Sequence, residues 1–139
     1  MKIRMLSLFV DDQRRAREFY TNVLGFQVKH NIPVGEDLWL TVVSPDEPDA
    51  VELLLEPAGH PAVKPYRDAL RADGIPLAQF NVEDLEAEVT RLKRLGVVFT
   101  MDPTDVGEAL VAVLDDTCGN LIQLLQDKPA ANTESPGAD

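Results

Sequence analysis

Phe9-Val10-Asp11-Asp12, followed by an amphipathic stretch that closes in Leu24-Gly25-Phe26, decides the fold, because the chain writes it a second time. The second copy is Asn81-Val82-Glu83-Asp84, closing in Leu95-Gly96-Val97. Asp12 and Asp84 stand 72 positions apart (12 to 84), and Gly25 and Gly96 stand 71 apart (25 to 96). Each copy reads strand, acidic turn, helix, glycine stop, strand. Such a duplication makes two halves that share one cleft, and any chemistry is expected where the halves face each other.

Outward from the first copy, residues 3–10 alternate: Leu6, Leu8 and Val10 point one way, Met5, Ser7 and Phe9 the other. Asp11 or Asp12 caps a helix by accepting from the free amides of its first turn. Ala16, Phe19, Tyr20, Val23 and Leu24 form its apolar stripe. Gly25 stops it. Strand-like runs follow near 26–32, 38–44 and 50–56, the last two separated by the turn Pro45-Asp46-Glu47-Pro48-Asp49. Residues 1–56 are thus a β-α-β-β-β module. Residues 57–76 are a connector with a short helix around Tyr66 to Leu70. Residues 77–126 repeat the module: a strand at 77–82, a helix at 84–95, and strands near 97–101, 108–115 and 120–126. Residues 127–139, rich in Pro, Ala, Ser and Gly, are expected to be a disordered tail.

The expected fold class is α+β. Two tandem βαβββ modules form a curved, mostly antiparallel eight-stranded sheet around a cleft, with the helices on the outer face. The alternation then assigns faces. Leu53, Leu55, Ile122 and Leu124 belong to the helix side. Met5, Ser7, Glu52, Leu54, Leu77, Gln79, Leu121 and Gln123 belong to the cavity side, and Trp39 and Thr41 are candidates for it.

Composition excludes several partners. Thirteen Lys and Arg stand against 24 Asp and Glu, a formal net charge of −11. A phosphate-binding surface needs clustered cations, so no nucleic acid is expected, and an anionic membrane surface is excluded on the same ground. No apolar run approaches the roughly 18 residues of a membrane span. Cys118 is the single cysteine, so no intrachain disulfide forms. A cytoplasmic location is the expectation. There is no glycine-rich phosphate loop, no Cys-x-x-Cys, no His-Glu-x-x-His and no Gly-x-Ser-x-Gly elbow.

Three segments together resemble the vicinal oxygen chelate superfamily, which includes glyoxalase I, extradiol dioxygenases and bleomycin resistance proteins. They are Leu8-Phe9-Val10-Asp11-Asp12, then Phe19-Tyr20 with Leu24-Gly25-Phe26, then Asp116-Thr117-Cys118-Gly119-Asn120-Leu121-Ile122-Gln123-Leu124. The resemblance covers about residues 3–126. It implies a homodimer, and in metal-using members it implies ligands from the first and last strands of each module. Carried onto this chain, those positions are Met5, Leu77, Glu52 and Gln123. A thioether, a hydrocarbon and a neutral amide beside one carboxylate are a poor set for Zn²⁺, Mn²⁺ or Fe²⁺, so no metal and no cofactor is expected.

The functional expectation is a glyoxalase- or bleomycin-resistance-like protein that holds a small molecule in the cleft between its modules. Trp39 is the wall, Met5, Ser7 and Leu77 are lining, and Gln79 and Gln123 are polar anchors. Glu52 is the catalytic candidate, as a general base or ligand anchor; the plain alternative makes it a relic that hydrogen-bonds Gln123 or water. Whether the chain is an enzyme stays open: the alternative is a lyase, isomerase or dioxygenase of the same superfamily using a divalent metal or Glu52 as base. His30 and His60 read as loop or strand-edge residues, and Cys118 as a turn residue with no base near it in sequence.

Overall fold

The computed structural model describes residues 1–129. The first module runs β1 (Met5–Val10), α1 (Gln13–Glu18) with a π-helical turn (Phe19–Val23), β2 (Gln27–Val34), β3 (Asp37–Val43) and β4 (Glu52–Pro57). The connector carries α2 (Val63–Ala72), longer than the short helix expected around Tyr66. The second module runs β5 (Ala78–Asn81), α3 (Leu85–Arg94), β6 (Phe99–Asp105), β7 (Ala109–Asp115) and β8 (Leu121–Asp127). The tail expected from residue 127 lies beyond residue 129 outside the described residues, and Asp127 itself ends β8.

Local chemistry explains the helix boundaries. The Asp12 carboxylate accepts from the amides of Arg14 and Arg15, and Asp84 accepts from the amide of Ala87. Both satisfy donors that the first helical turn leaves free. Gly25 and Gly96 end the helices at φ +95° and +89°, a left-handed backbone that a side chain resists.

The eight strands form two four-stranded sheets, ordered β1-β4-β3-β2 and β5-β8-β7-β6, not one continuous hydrogen-bonded sheet. Each sheet is antiparallel except for one parallel pair, β1 with β4 and β5 with β8. The two sheets share one order but differ in register: Met5 lies opposite Glu52, whereas Gln123, the counterpart of Glu52, lies opposite Gln79, two residues beyond Leu77, the counterpart of Met5. By their shared order, β1 and β5 are equivalent edges.

The alternation holds where it bears most weight. Leu8, Val10, Leu40, Val42 and Leu55 of the first sheet are buried on the helix side, as are Ala112, Leu114, Ile122 and Leu124 of the second. Leu6 departs from its row: it is 58% exposed, because it sits at the rim of the module junction where the helix no longer covers the strand. Leu77 packs against the core rather than lining an open face. It precedes β5, so strand alternation does not govern it.

The structure differs from expectation in how the modules meet. The helix-bearing faces of both sheets belong to a single core, with Ala16, Tyr20, Leu85, Val89 and Leu92 between them. Tyr20 of the first module stacks edge-on against Phe80 of the second at 6.3 Å, and Phe26 meets Phe80 at 5.0 Å. The Arg91 guanidinium donates to the carbonyl of Val23. The helix sides therefore face each other within the chain. The opposite faces belong to separate sheets, and Glu52 of the first and Gln79 of the second border one small cavity at the junction.

Candidate functional site

The open face of the first sheet carries Met5 and Ser7 from β1, Glu52 and Leu54 from β4, and Trp39, Thr41 and Val43 from β3. Its centre is tightly covered: Thr41 is fully buried, Val43 4% exposed and Leu54 7% exposed. Trp39 is 39% exposed at its margin, opposite Ile32 of β2. Along β2 the register shifts between Val28 and His30. Such a bulge adds a residue and re-aims its neighbours. Here both Lys29 and His30 reach the same carboxylate: Lys29 Nζ lies 3.8 Å from Glu52 Oε2, and His30 Nε2 lies 3.8 Å from Glu52 Oε1.

Glu52 is not an open acid. Its side chain is 17% exposed, and Oε1 is sealed from solvent without a hydrogen-bond partner. It does not meet Gln123, as the relic alternative supposed; its charged neighbours come from β2. His30, by contrast, is 41% exposed at its side chain. Sequence reading missed the Lys29–His30–Glu52 cluster, because the bulge that gathers it leaves no mark in the alternation.

The open face of the second sheet has the same strand order and different chemistry. Val111, Val113 and Leu121 make a floor that is nearly solvent-free. Its polar feature is one neutral pair, Gln123 Nε2 donating to Gln79 Oε1 at 2.7 Å. Met5 stands beside Glu52 on the first sheet; on the second, a register two residues different puts Gln79, not Leu77, beside Gln123. Thus Met5, Ser7, Trp39 and Glu52 are gathered on one face, Gln79 and Gln123 on the other, and Leu77 on neither.

The donors at the four family-type positions do not fit a hard divalent ion. Glu52 has a cation 3.8 Å from one oxygen and its other oxygen sealed. Gln123 is already engaged with Gln79, Met5 offers a thioether, and Leu77 offers nothing. Among the described residues no group of three or more His, Cys, Asp or Glu converges as a metal site would require.

Two cavities open at the junction between the modules. One, of about 1050 Å³, lies between the β3–β4 turn and the end of β5; Phe26, Phe80 and Leu124 line it, with Glu47, Glu83 and Asp127 among its acidic residues. The other, of about 180 Å³, is lined by Leu6, Phe26, Val42 and Leu53 together with Glu52 and Gln79. Neither is lined by Met5, Ser7, Trp39, Leu77 or Gln123.

Behind these faces lies a buried polar knot. The Asp116 carboxylate accepts from the Tyr20 hydroxyl at 2.6 Å, from the Asn120 side chain, and from the amides of Cys118 and Asn120. Asn120 Nδ2 also donates to the carbonyl of Phe9. Arg67 of α2, 3% exposed, donates to the carbonyls of Phe9 and Cys118 and pairs with Asp11. Burial, then the neighbouring Asp116 charge, raises the Tyr20 hydroxyl well above its ordinary range. Burial, then Asp116, pushes the Cys118 thiol up to about 12, so it is protonated at neutral pH and unfit as a nucleophile. This cluster is structural: it ties β1, α1 and the connector to the closing turn of the second module.

A sequence model of the family described as "Glyoxalase/Bleomycin resistance protein/Dioxygenase superfamily" matches residues 2–124. The uncharacterised protein YurT of Bacillus subtilis is 52% identical over 126 residues, covering 91% of this chain and 99% of YurT. Among solved structures, UcmS2 is 32% identical with a TM-score of 0.79, covering 91% of this chain and 98% of that one. TnmS3, an antibiotic binding protein from Streptomyces sp. CB03234, is 24% identical with a TM-score of 0.73, covering 92% and 97%. No helix among the described residues is long and apolar enough to cross a membrane.

Proposed function

The chain belongs to the glyoxalase/bleomycin resistance protein/dioxygenase superfamily, and from that premise we propose that it is a homodimer that binds a small molecule without a metal, in clefts closed between two copies. One observation carries this reading. Each module has an edge strand, β1 or β5, that among the described residues is unpaired on its outer side and stands beside the face that carries Glu52 or Gln123. An unpaired edge is a template for another chain. With β1 of one copy beside β5 of the other, the open face of a first module meets the open face of a partner's second module. The eight-stranded sheet expected from the duplication then forms between chains.

Such a cleft has an apolar floor from Val111, Val113 and Leu121, an aromatic margin at Trp39, and polar groups at Glu52, Gln79 and Gln123. This combination, mostly apolar with a few placed polar groups, suits a drug-sized organic ligand. The fold shared with an antibiotic binding protein supports the reading at the level of fold alone. Glu52 acting by itself as a catalytic base is not part of it, because Oε1 is sealed from solvent and Lys29 lies beside Oε2.

The test joins light scattering to a ligand screen. The expected mass is twice the 15.3 kDa of one chain, with apolar aromatic compounds raising the melting temperature and quenching Trp39, the chain's one tryptophan. A monomer that no compound stabilises overturns the proposal. Stabilisation by stoichiometric Ni²⁺, Zn²⁺, Mn²⁺ or Fe²⁺, lost in Glu52→Ala, overturns its metal-free part.

A further inference from the structure

We infer that His30, not Glu52, is the polar side chain that the first module offers to a ligand, and that Glu52 is the positioning residue behind it. The inference rests on the small-molecule reading and deepens it. Three observations lead there. Glu52 Oε1 is sealed from solvent and has no hydrogen-bond partner, an unfavourable arrangement unless a donor reaches it. The nitrogen within reach is His30 Nε2, 3.8 Å away, and a small rotation of the imidazole closes that gap to a hydrogen bond. The His30 ring makes no side-chain hydrogen bond of its own among the described residues and keeps 41% of its side chain exposed, so it is free to turn and open to a ligand.

The chemistry of the pair then follows. A carboxylate behind an imidazole holds a proton on the nitrogen that faces it, which fixes the tautomer and the ring plane. With Nε2–H directed at Glu52, Nδ1 is left as an acceptor on the solvent side. Lys29 Nζ lies 3.8 Å from Oε2 and also 3.8 Å from Asp49, so one ammonium is shared between two carboxylates at this end of the face. A lone-pair acceptor beside Thr41 and at the end of an apolar face calls for a neutral donor. The ligand class is an apolar, flat molecule with a hydroxyl or N–H group at one edge. The aromatic margin at Trp39 takes the flat body, and His30 takes the donor.

Two measurements decide this. The first needs no ligand: long-range ¹H–¹⁵N correlation spectra of the histidine side chains, assigned with His30→Ala. His30 is expected in the Nε2–H form in the wild type at pH 8, and in a mixture of both tautomers in Glu52→Gln. Identical His30 spectra in the two proteins overturn the positioning role. The second uses 2-naphthol and 2-methoxynaphthalene, which differ in the donor alone, read by Trp39 quenching. The wild type is expected to bind 2-naphthol at least about 10-fold more tightly, a preference worth about 1.4 kcal/mol. His30→Ala is expected to abolish that preference by weakening naphthol binding, with the ether unchanged. Equal binding of both compounds to the wild type, or a preference that survives His30→Ala, overturns the donor-ligand inference while leaving small-molecule binding intact. Binding of neither compound overturns the naphthol inference and counts against the cleft reading itself, whereas the tautomer spectra still judge the pair.

Discussion

The turn that leads into the last strand of each module occupies the same place in the repeat, yet the two turns live in opposite surroundings. In the first module, residues 44–50 are exposed from Ser44 through Ala50 and border the large junction cavity. In the second, Asp116 is fully buried, Cys118 is fully buried and Asn120 is 1% exposed. The difference teaches how a duplicated fold divides labour. The second turn became the knot that holds α1, β1 and the connector to the second sheet. The first was released from that duty. The open faces diverged in the same direction: the second sheet kept a neutral glutamine pair, and the first gathered Glu52, His30 and Lys29.

Replacing the knot's central acceptor breaks the contrast most severely. Asp116→Ala leaves the Tyr20 hydroxyl and two buried amides without their partner, and a loss of about 3–5 kcal/mol is expected in urea denaturation. Asp46→Ala, in the corresponding exposed turn, is expected to stay within about 0.5 kcal/mol of the wild type. If the two variants cost the same, the division of labour is wrong.

Tyr20→Phe sharpens the comparison, because it removes one donor and leaves the aromatic packing against Phe80 and Phe26. A loss of about 1.5–3 kcal/mol is expected, typical of a hydrogen bond to a charged group. The raised Tyr20 hydroxyl adds a pH signature. Its folded value lies above the unfolded one, so its contribution is whole below about pH 10. It fades as the pH rises from there toward the folded value, and Tyr20→Phe lacks that alkaline decline.

The smallest effect is expected at the connector. Asp115 is partly buried, which alone would raise its carboxyl. The Arg71 guanidinium at 2.6 Å and the Thr117 amide outweigh burial and hold it below the ordinary value. Because the folded value is the lower one, this stabilisation is present above the unfolded value and is lost as the pH falls through the folded one. Arg71 is 38% exposed at its side chain, so screening keeps the contribution below about 1 kcal/mol. Asp115→Asn is expected to lose up to that amount at neutral pH and to converge with the wild type in acid, which flattens the acid limb of the stability profile.

Legibility varied with the physics of each feature. Helix caps at Asp12 and Asp84 and stops at Gly25 and Gly96 are local events, decided within four residues, and they stand where the residue types put them. Burial of Leu8, Val10, Ile122 and Leu124 follows from a period of two. Leu77 escaped because it precedes its strand, and His30 because a bulge shifts register without changing composition. Arg67 looked like part of an ordinary helix; its burial at the Phe9 and Cys118 carbonyls depends on where the connector lands.

From residue order alone came the doubled module, its strand and helix order, the capped and stopped helices, and which side chains share a strand face. These rest on short-range sterics and on periodicity, which a linear chain carries in full. Which faces meet was settled in three dimensions. Alternation separates two sides of a sheet but is blind to what covers each, and both a helix layer and a ligand cleft accept apolar residues. Contact of Tyr20 with Phe80 and Asp116, between residues far apart in the chain, turned the helix sides inward and brought Glu52 of one sheet and Gln79 of the other to the rim of one small junction cavity.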